Sequence, residues 1–209
     1  MPFQNSVVVK YDAVNEWHAL PIRRFWDRFS ERNMKLSDSI SEQDTLSAST
    51  MYLGVDPGLN RTGYALLERK PGGPVLREAG VIRSTRKESL AKRVLEIGNG
   101  LREVFDDFSP QVMAVEQVFS LSSNPKTAVL MAHARGVILL TAAERDVPVV
   151  HYTPTQIKRL LTGSGRASKE QIQHAVKHEL GLTEILEPND VSDASAIALC
   201  LYHSVKFTA

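Results

Sequence analysis

Four carboxylates in this sequence stand where side chains can act together. Asp56 closes the apolar run MYLGVD and Glu116 closes VMAVE. Asp190 and Asp193 lie three residues apart at the start of a helical pattern, DVSDASAIALCLYHSV. An acid at the end of a buried strand faces the edge at which open α/β sheets bind ligands. Residues three apart near the start of a helix project from one side. Four acids with no cysteine cluster and no histidine pair at ligand spacing suit a hard, oxygen-preferring ion, Mg²⁺ or Mn²⁺. Each acid also has an ordinary explanation. A strand-end acid is usually just solvated, and two aspartates in a first helical turn usually complement the helix dipole. Glu116 is the least easily set aside, because MAVEQVF places it directly after an apolar run.

The elements that must carry these acids read clearly from residue 51. MYLGVD is a short buried-type strand. TGYALLERK and VLREAGVIRS follow with Gly/Pro turns, as meander strands do. In SLAKRVLEIGNGLREVFDDF, residues Leu90, Val94, Ile97, Leu101, Val104 and Phe108 recur on one helical face, and Pro110 ends the run. VMAVE is a second buried strand. Asn124 and Pro125 then suit the N-cap and first position of a long helix. VPVVHY is another strand, Thr153-Pro154 opens a short helix, and Ser168 with Gln171 makes a capping box for the next. No internal repeat interrupts this order. The succession predicts an α/β fold, a mixed β-sheet flanked by α-helices.

The first 50 residues differ in kind. All twelve glycines follow residue 50, while Trp17 and Trp26 precede it. Residues 35–50 hold seven Ser/Thr and no Gly, Pro or aromatic residue, the composition of a solvated linker. Residues 15–33 have the spacing of a short helix. The sequence therefore predicts a poorly ordered N-terminal extension, 1–50, and a folded domain, 51–209. Met51 leaves open a translation start at the domain itself.

Composition excludes several classes. A net charge of +1 over 209 residues and 23% charged side chains are those of a soluble globular protein. No apolar run approaches the ~20 residues of a membrane span, and no signal peptide is apparent. Cys200 is the one cysteine, so no internal disulfide or cysteine zinc cluster can form. A cytoplasmic location is expected. Near-neutral charge leaves nucleic-acid binding open, because a local basic patch suffices. Such a patch exists: residues 156–177 contain five Lys/Arg and one acid.

Five blocks carry a family resemblance. LGVDPGLNRTGYALLE looks like the first hairpin of the ribonuclease-H-like superfamily. Together with MAVEQVF, MAHARGVILLTAAE, YTPTQIKRLLTGSGRASKEQIQ and DVSDASAIAL, in that order, it resembles the RuvC family of Holliday junction resolvases along nearly all of 51–209. The resemblance implies an RNase-H-like fold. It also implies a metal-dependent endodeoxyribonuclease of DNA recombination and repair, which nicks two opposing strands of a four-way DNA junction and leaves ligatable 5′-phosphate ends. It makes Asp56, Glu116, Asp190 and Asp193 the metal-binding and catalytic acids. Phe119 is implied to stack on unpaired bases. Lys158 and Lys169 are implied to matter for DNA, and Arg166 of the same segment joins them. Two Mg²⁺ ions per site, with Mn²⁺ able to substitute, a homodimer matching the twofold junction, and the branch-migration proteins RuvA and RuvB as partners complete the implication. The chemistry agrees, since two ions can activate water and stabilise a leaving 3′ oxygen. The rival readings are another RNase-H-like nuclease, an inactive junction-binding module and, remotely, an actin-like ATP-binding domain. The last needs a second phosphate loop and an adenosine motif that are missing.

Other features read plainly. TGSGRASK lacks the spacing of a phosphate loop and is a flexible turn. His133, His151, His174, His178 and His203 form no ligand spacing at a strand edge. Cys200 is expected to be buried, and Arg69 to sit on a distal turn. Ala128, Ala132 and Gly136 form a small-residue stripe that suits close approach to the sheet or to another subunit. Because 35–50 cannot bury enough apolar area to offset the entropy of ordering, a 51–209 protein should cleave junctions at the full-length rate with nearly the same melting temperature. An insoluble or inactive truncation would show that the extension is a working part of the domain.

Overall fold

The structure, a computed structural model, describes residues 50–117 and 125–205. Residues 1–49, with the expected helix and most of the linker, lie outside the described residues, as do Asn124 and Phe119. Strands β1 (Met51–Asp56), β2 (Arg61–Lys70) and β3 (Gly73–Arg83) are followed by helix α1 (Leu90–Phe108). Then come β4 (Val112–Glu116), α2 (Pro125–Ala143), β5 (Val149–Tyr152), α3 (Pro154–Thr162), α4 (Lys169–Glu179) and α5 (Asn189–Ser204). The sheet has five strands in the order β3-β2-β1-β4-β5. β1 to β3 form an antiparallel meander, whereas β4 pairs parallel with both β1 and β5. This is the mixed sheet the sequence predicts.

The local signals account for the boundaries. Ser89 caps α1, and Ser109, in the left-handed conformation, ends it just before Pro110. Thr153 with Gln156 and Ser168 with Gln171 form complete capping boxes at α3 and α4. On α1 the buried side chains are Ile97, Leu101, Val104 and Phe105. Phe105, four residues after Leu101, joins the buried face, while Leu90 of the expected pattern is exposed in the first turn. Thr50, just before β1, is tied to the sheet: it is buried, and its carbonyl accepts a hydrogen bond from the Arg69 N–H at 3.0 Å.

Strand alternation splits the interior into two layers. Tyr52, Ala65, Leu67, Val112 and Ala114 meet α3, α4 and α5. Leu53, Val55, Leu66, Met113 and Val115 meet α1 and α2. Helix α5 is buried nearly all round, and Cys200 lies fully inside it. Its approach to the sheet depends on glycine. A methyl carbon on Gly54 would lie 2.3 Å from the Ala194 carbonyl oxygen and 2.4 Å from the Ala198 nitrogen. On Gly63 it would lie 2.0 Å from the Asp190 carbonyl oxygen. Side chains at either place would lift the helix away.

Arg69 corrects an expectation. It does not sit on a distal turn; its guanidinium packs on the Tyr202 ring, 3.9 Å from the centroid, and donates to the Tyr52 hydroxyl at 2.8 Å. It also donates to the Tyr202 carbonyl, clamping the end of β2 to the end of α5. Helix α2 turns Ala134, Val137, Ile138 and Ala142 inward but leaves Val129 and Leu140 more than half exposed. Gly136 of the small-residue stripe faces open space. Among the described residues no helix is long and apolar enough to cross a membrane.

Replacing Gly54 with Ala should therefore cost about 3 kcal/mol, the upper part of the overpacking range. Urea unfolding of the variant checks this, and an unchanged midpoint would show that α5 does not need the close contact.

Candidate metal centre and DNA face

Each of the four acids is placed by a different local rule. Asp56 is the last residue of β1, and β1 pairs in parallel with β4 through Val55 and Val115. Asp56 and Glu116 therefore leave the same edge of the sheet from neighbouring strands. Across the other pairing of β1, Asp56 stands opposite Gly63. Gly63 is the residue whose missing side chain admits the Asp190 backbone. That one contact seats the first turn of α5, with Asp190 and Asp193, beside Asp56.

Electrostatics registers the convergence. Burial pushes the Asp56 carboxyl up to about 8, with further upward pressure from Glu116, Asp193 and Asp190 and a smaller opposing pull from Lys169. Burial likewise raises Glu116 to about 7, with Asp193 adding to the rise and Lys169 and Lys158 opposing it. Both are groups whose charged form lacks compensation.

Two cations answer part of this charge. Lys169, the first residue of α4, donates from Nζ to Asp193 Oδ2 at 2.8 Å. Arg61 Nη2 lies 2.9 Å from Asp190 Oδ2. That contact is an ion pair without hydrogen-bond alignment, for Asp190 Oδ2 is buried and accepts no aligned hydrogen bond. Among the described residues, no three His, Cys, Asp or Glu side chains are grouped closely enough to hold a metal ion as they stand. The donor set nevertheless fits a hard divalent ion. It offers oxygen ligands only, one of them a buried atom without an aligned donor, and two carboxyls that would release protons to a metal.

The other sequence-predicted residues divide. Lys158 and Lys169 both act on Glu116 electrostatically and so flank the site. Arg166 is exposed in the turn between α3 and α4, its N–H bonded to Ser164 Oγ. Phe119 lies outside the described residues. His133 is exposed on α2, and His203 pairs with Glu179 at 3.2 Å. Sequence reasoning missed Arg61 and Arg135. Arg135 sits on α2 inside the MAHARGV block, donates to the Glu116 carbonyl at 3.3 Å, and lies 2.8 Å from His151 Nδ1. It supports the end of β4. An arginine within a long apolar helix was the available signal.

A mixed sheet of this order, with acids at two central strand ends and a covering helix, has the architecture of the ribonuclease-H-like class. Comparison with known proteins carries this further. The sequence model of the family "Crossover junction endodeoxyribonuclease RuvC" matches residues 52–201. The RuvC of Rhodopirellula baltica is 54% identical over 153 residues, covering 73% of this chain and 86% of that protein. The RuvC of Moorella thermoacetica is 43% identical over 150 residues, covering 72% and 89%. Among solved structures, Thermus thermophilus RuvC in complex with Holliday junction substrate superposes with a TM-score of 0.70 at 32% identity, covering 74% of this chain and 94% of that one. The chain belongs to the RuvC family and is a crossover junction endodeoxyribonuclease, a metal-dependent nuclease that resolves Holliday junctions.

The raised carboxyls have a consequence for stability. Asp56 and Glu116 keep protons in the folded protein that the unfolded chain, with ordinary carboxyls, has already released. Between about pH 4 and pH 8 the folded state binds more protons, so metal-free stability falls as pH rises through that window. The metal-free melting temperature should decrease from about pH 5 to pH 8 more steeply than that of Asp56→Asn, and saturating Mn²⁺ should abolish the decrease. Equal slopes for the two proteins would remove Asp56 as the cause.

Proposed function

We propose that this chain cuts two opposing strands of a four-way DNA junction as a homodimer, each site using two Mg²⁺ ions that Mn²⁺ can replace, and leaves ligatable 5′-phosphate ends. The observation that carries the reading is the meeting of Asp56, Glu116, Asp190 and Asp193 at one sheet edge with Lys158 and Lys169 beside them. Asp56 and Glu116, on neighbouring strand ends, and Asp190 and Asp193, on one turn of α5, would hold the ions. When bound, such ions supply an activated water and charge at the leaving 3′ oxygen. The chain's own residues do the rest. Gly63 and Gly54 keep α5 against the sheet and fix the spacing of the acids. Lys169 and Lys158 offer ammonium groups to DNA phosphates beside the acids. Arg166 extends that contact along the backbone, and Phe119 offers a ring to an unpaired base.

The twofold assembly is supported by α2. This helix is apolar on its outer as well as its inner side, with Val129 and Leu140 exposed around Ala132 and Gly136. A helix apolar all round is ordinarily covered on both sides. The second cover proposed is α2 of another copy, which would give two sites for two strands. Action in the cytoplasm beside RuvA and RuvB follows from the family resemblance. The domain 51–209 carries all these elements, and 1–50 is proposed to be dispensable for them.

Cleavage of a four-way junction, a linear duplex and an RNA–DNA hybrid in Mg²⁺ and in EDTA tests the reading. Wild type should cut only the junction and only with metal, and Asp56→Asn should bind it without cutting. Leu140→Glu should give monomers and lose paired nicking, with folding unchanged because the side chain is exposed in the monomer. Efficient duplex cutting or cutting in EDTA would refute the reading, and a Leu140→Glu dimer would refute the α2 interface.

A further inference from the structure

Arg61 is none of the four acids and stands outside the basic segment 156–177. It opens β2, and the loop before it is rigidly tied. Thr62 Oγ1 donates to the Gly58 carbonyl at 2.9 Å, the Ser84 N–H donates to the Asn60 carbonyl at 3.2 Å, and Arg93 Nη2 donates to Asn60 Oδ1 at 2.6 Å. Two residues on, Gly63 brings the Asp190 backbone against the same strand. The start of β2 and the first turn of α5 are thus locked together, and the Arg61–Asp190 pair is built by backbone geometry rather than by two free side chains finding each other.

The pair sits where it costs something elsewhere. In sheet register Arg61 stands directly opposite Arg83, an unfavourable like-charge arrangement. An exposed ion pair ordinarily contributes little. Here, though, the carboxylate side chain is only 17% exposed and belongs to a cluster of four acids, so a nearby positive charge matters more. The ion pair also lacks hydrogen-bond alignment, which leaves Asp190 Oδ2 able to exchange its partner.

We infer that Arg61 is the metal-free counter-ion of Asp190: it holds, as a fixed positive charge, the carboxylate that a divalent ion needs, so that metal loading displaces it and Arg61 sets how tightly the DNA-free protein binds metal. Lys169 stands in the same relation to Asp193, yet Lys169 also belongs to the proposed DNA face. Arg61 does not, and its removal tests the counter-ion role alone. The inference rests on the assignment of the four acids as metal ligands.

Calorimetric titration of MnCl₂ into DNA-free full-length protein decides it. Removing one positive charge a few ångströms from a divalent ion should tighten its binding about tenfold, even with solvent screening. Arg61→Gln should bind Mn²⁺ about tenfold more tightly than wild type, and Arg61→Lys, which keeps the charge, should stay within about threefold of wild type. Asp56→Asn separates the counter-ion role of Arg61 from the metal centre itself. If Asp56→Asn loses Mn²⁺ binding while Arg61→Gln binds no more tightly than wild type, the counter-ion role is overturned and the metal centre stands. If Asp56→Asn keeps wild-type affinity, the metal centre itself is wrong. Arg61→Lys tightening as much as Arg61→Gln would show that packing, not charge, is responsible, and would also overturn the inference.

Discussion

The backbone-level contact of α5 with β1 and β2 is the constraint on which the site depends. Two glycines, Gly54 and Gly63, allow it, and no side chain could be tolerated at either place without moving the helix. The contact does more than fill the interior. Asp56 and Gly63 are cross-strand partners, so the point of closest approach lies beside one of the four acids and brings in two more. Rigid elements thereby hold groups that repel one another, which loops would let drift apart.

That repulsion is the second theme. Four acids at one edge are unfavourable in the absence of metal, and the protein offsets the cost in two ways. Asp56 and Glu116 keep protons well above the ordinary carboxylate range, chiefly because they are buried. Asp193 and Asp190 are met by Lys169 and Arg61. Protonation and ion pairing together reduce the like charge at this edge while leaving carboxylate oxygens there. Arg135 contributes at one remove by tying the Glu116 carbonyl to the body of α2.

The two faces of the sheet serve different ends. On one, α3, α4 and α5 carry the basic residues and two of the acids, and the Arg69 clamp between Tyr52 and Tyr202 pins the far end of α5. On the other, α1 and α2 fill the second layer, and α2 keeps an apolar outer side. The four acids thus gather at one edge, on the side away from the outer face of α2, where Val129 and Leu140 are exposed.

The sequence by itself determined the elements and their chemical ends. Apolar runs closing in Asp56 and Glu116, capping boxes at Thr153 and Ser168, and the acidic pair opening the last helix are all local signals, and local signals survive in the order of residues. The motif blocks added the family. What only the tertiary structure decided were relations between residues far apart in the chain. Nothing near Arg61 points to Asp190, more than a hundred positions away; their pairing exists because Gly63 lets α5 descend there. Arg69 reads as a surface residue beside a turn, and becomes a clamp only when the end of α5 arrives above it. Leu90 has the helical spacing of a core residue yet is exposed in the first turn of α1, while Phe105 near the other end is buried, because packing and not spacing decides which turns are covered. Periodicity says which side of a helix is apolar. Only packing says what that side meets, and how close a backbone can come is fixed by the absence of a side chain on the element it meets.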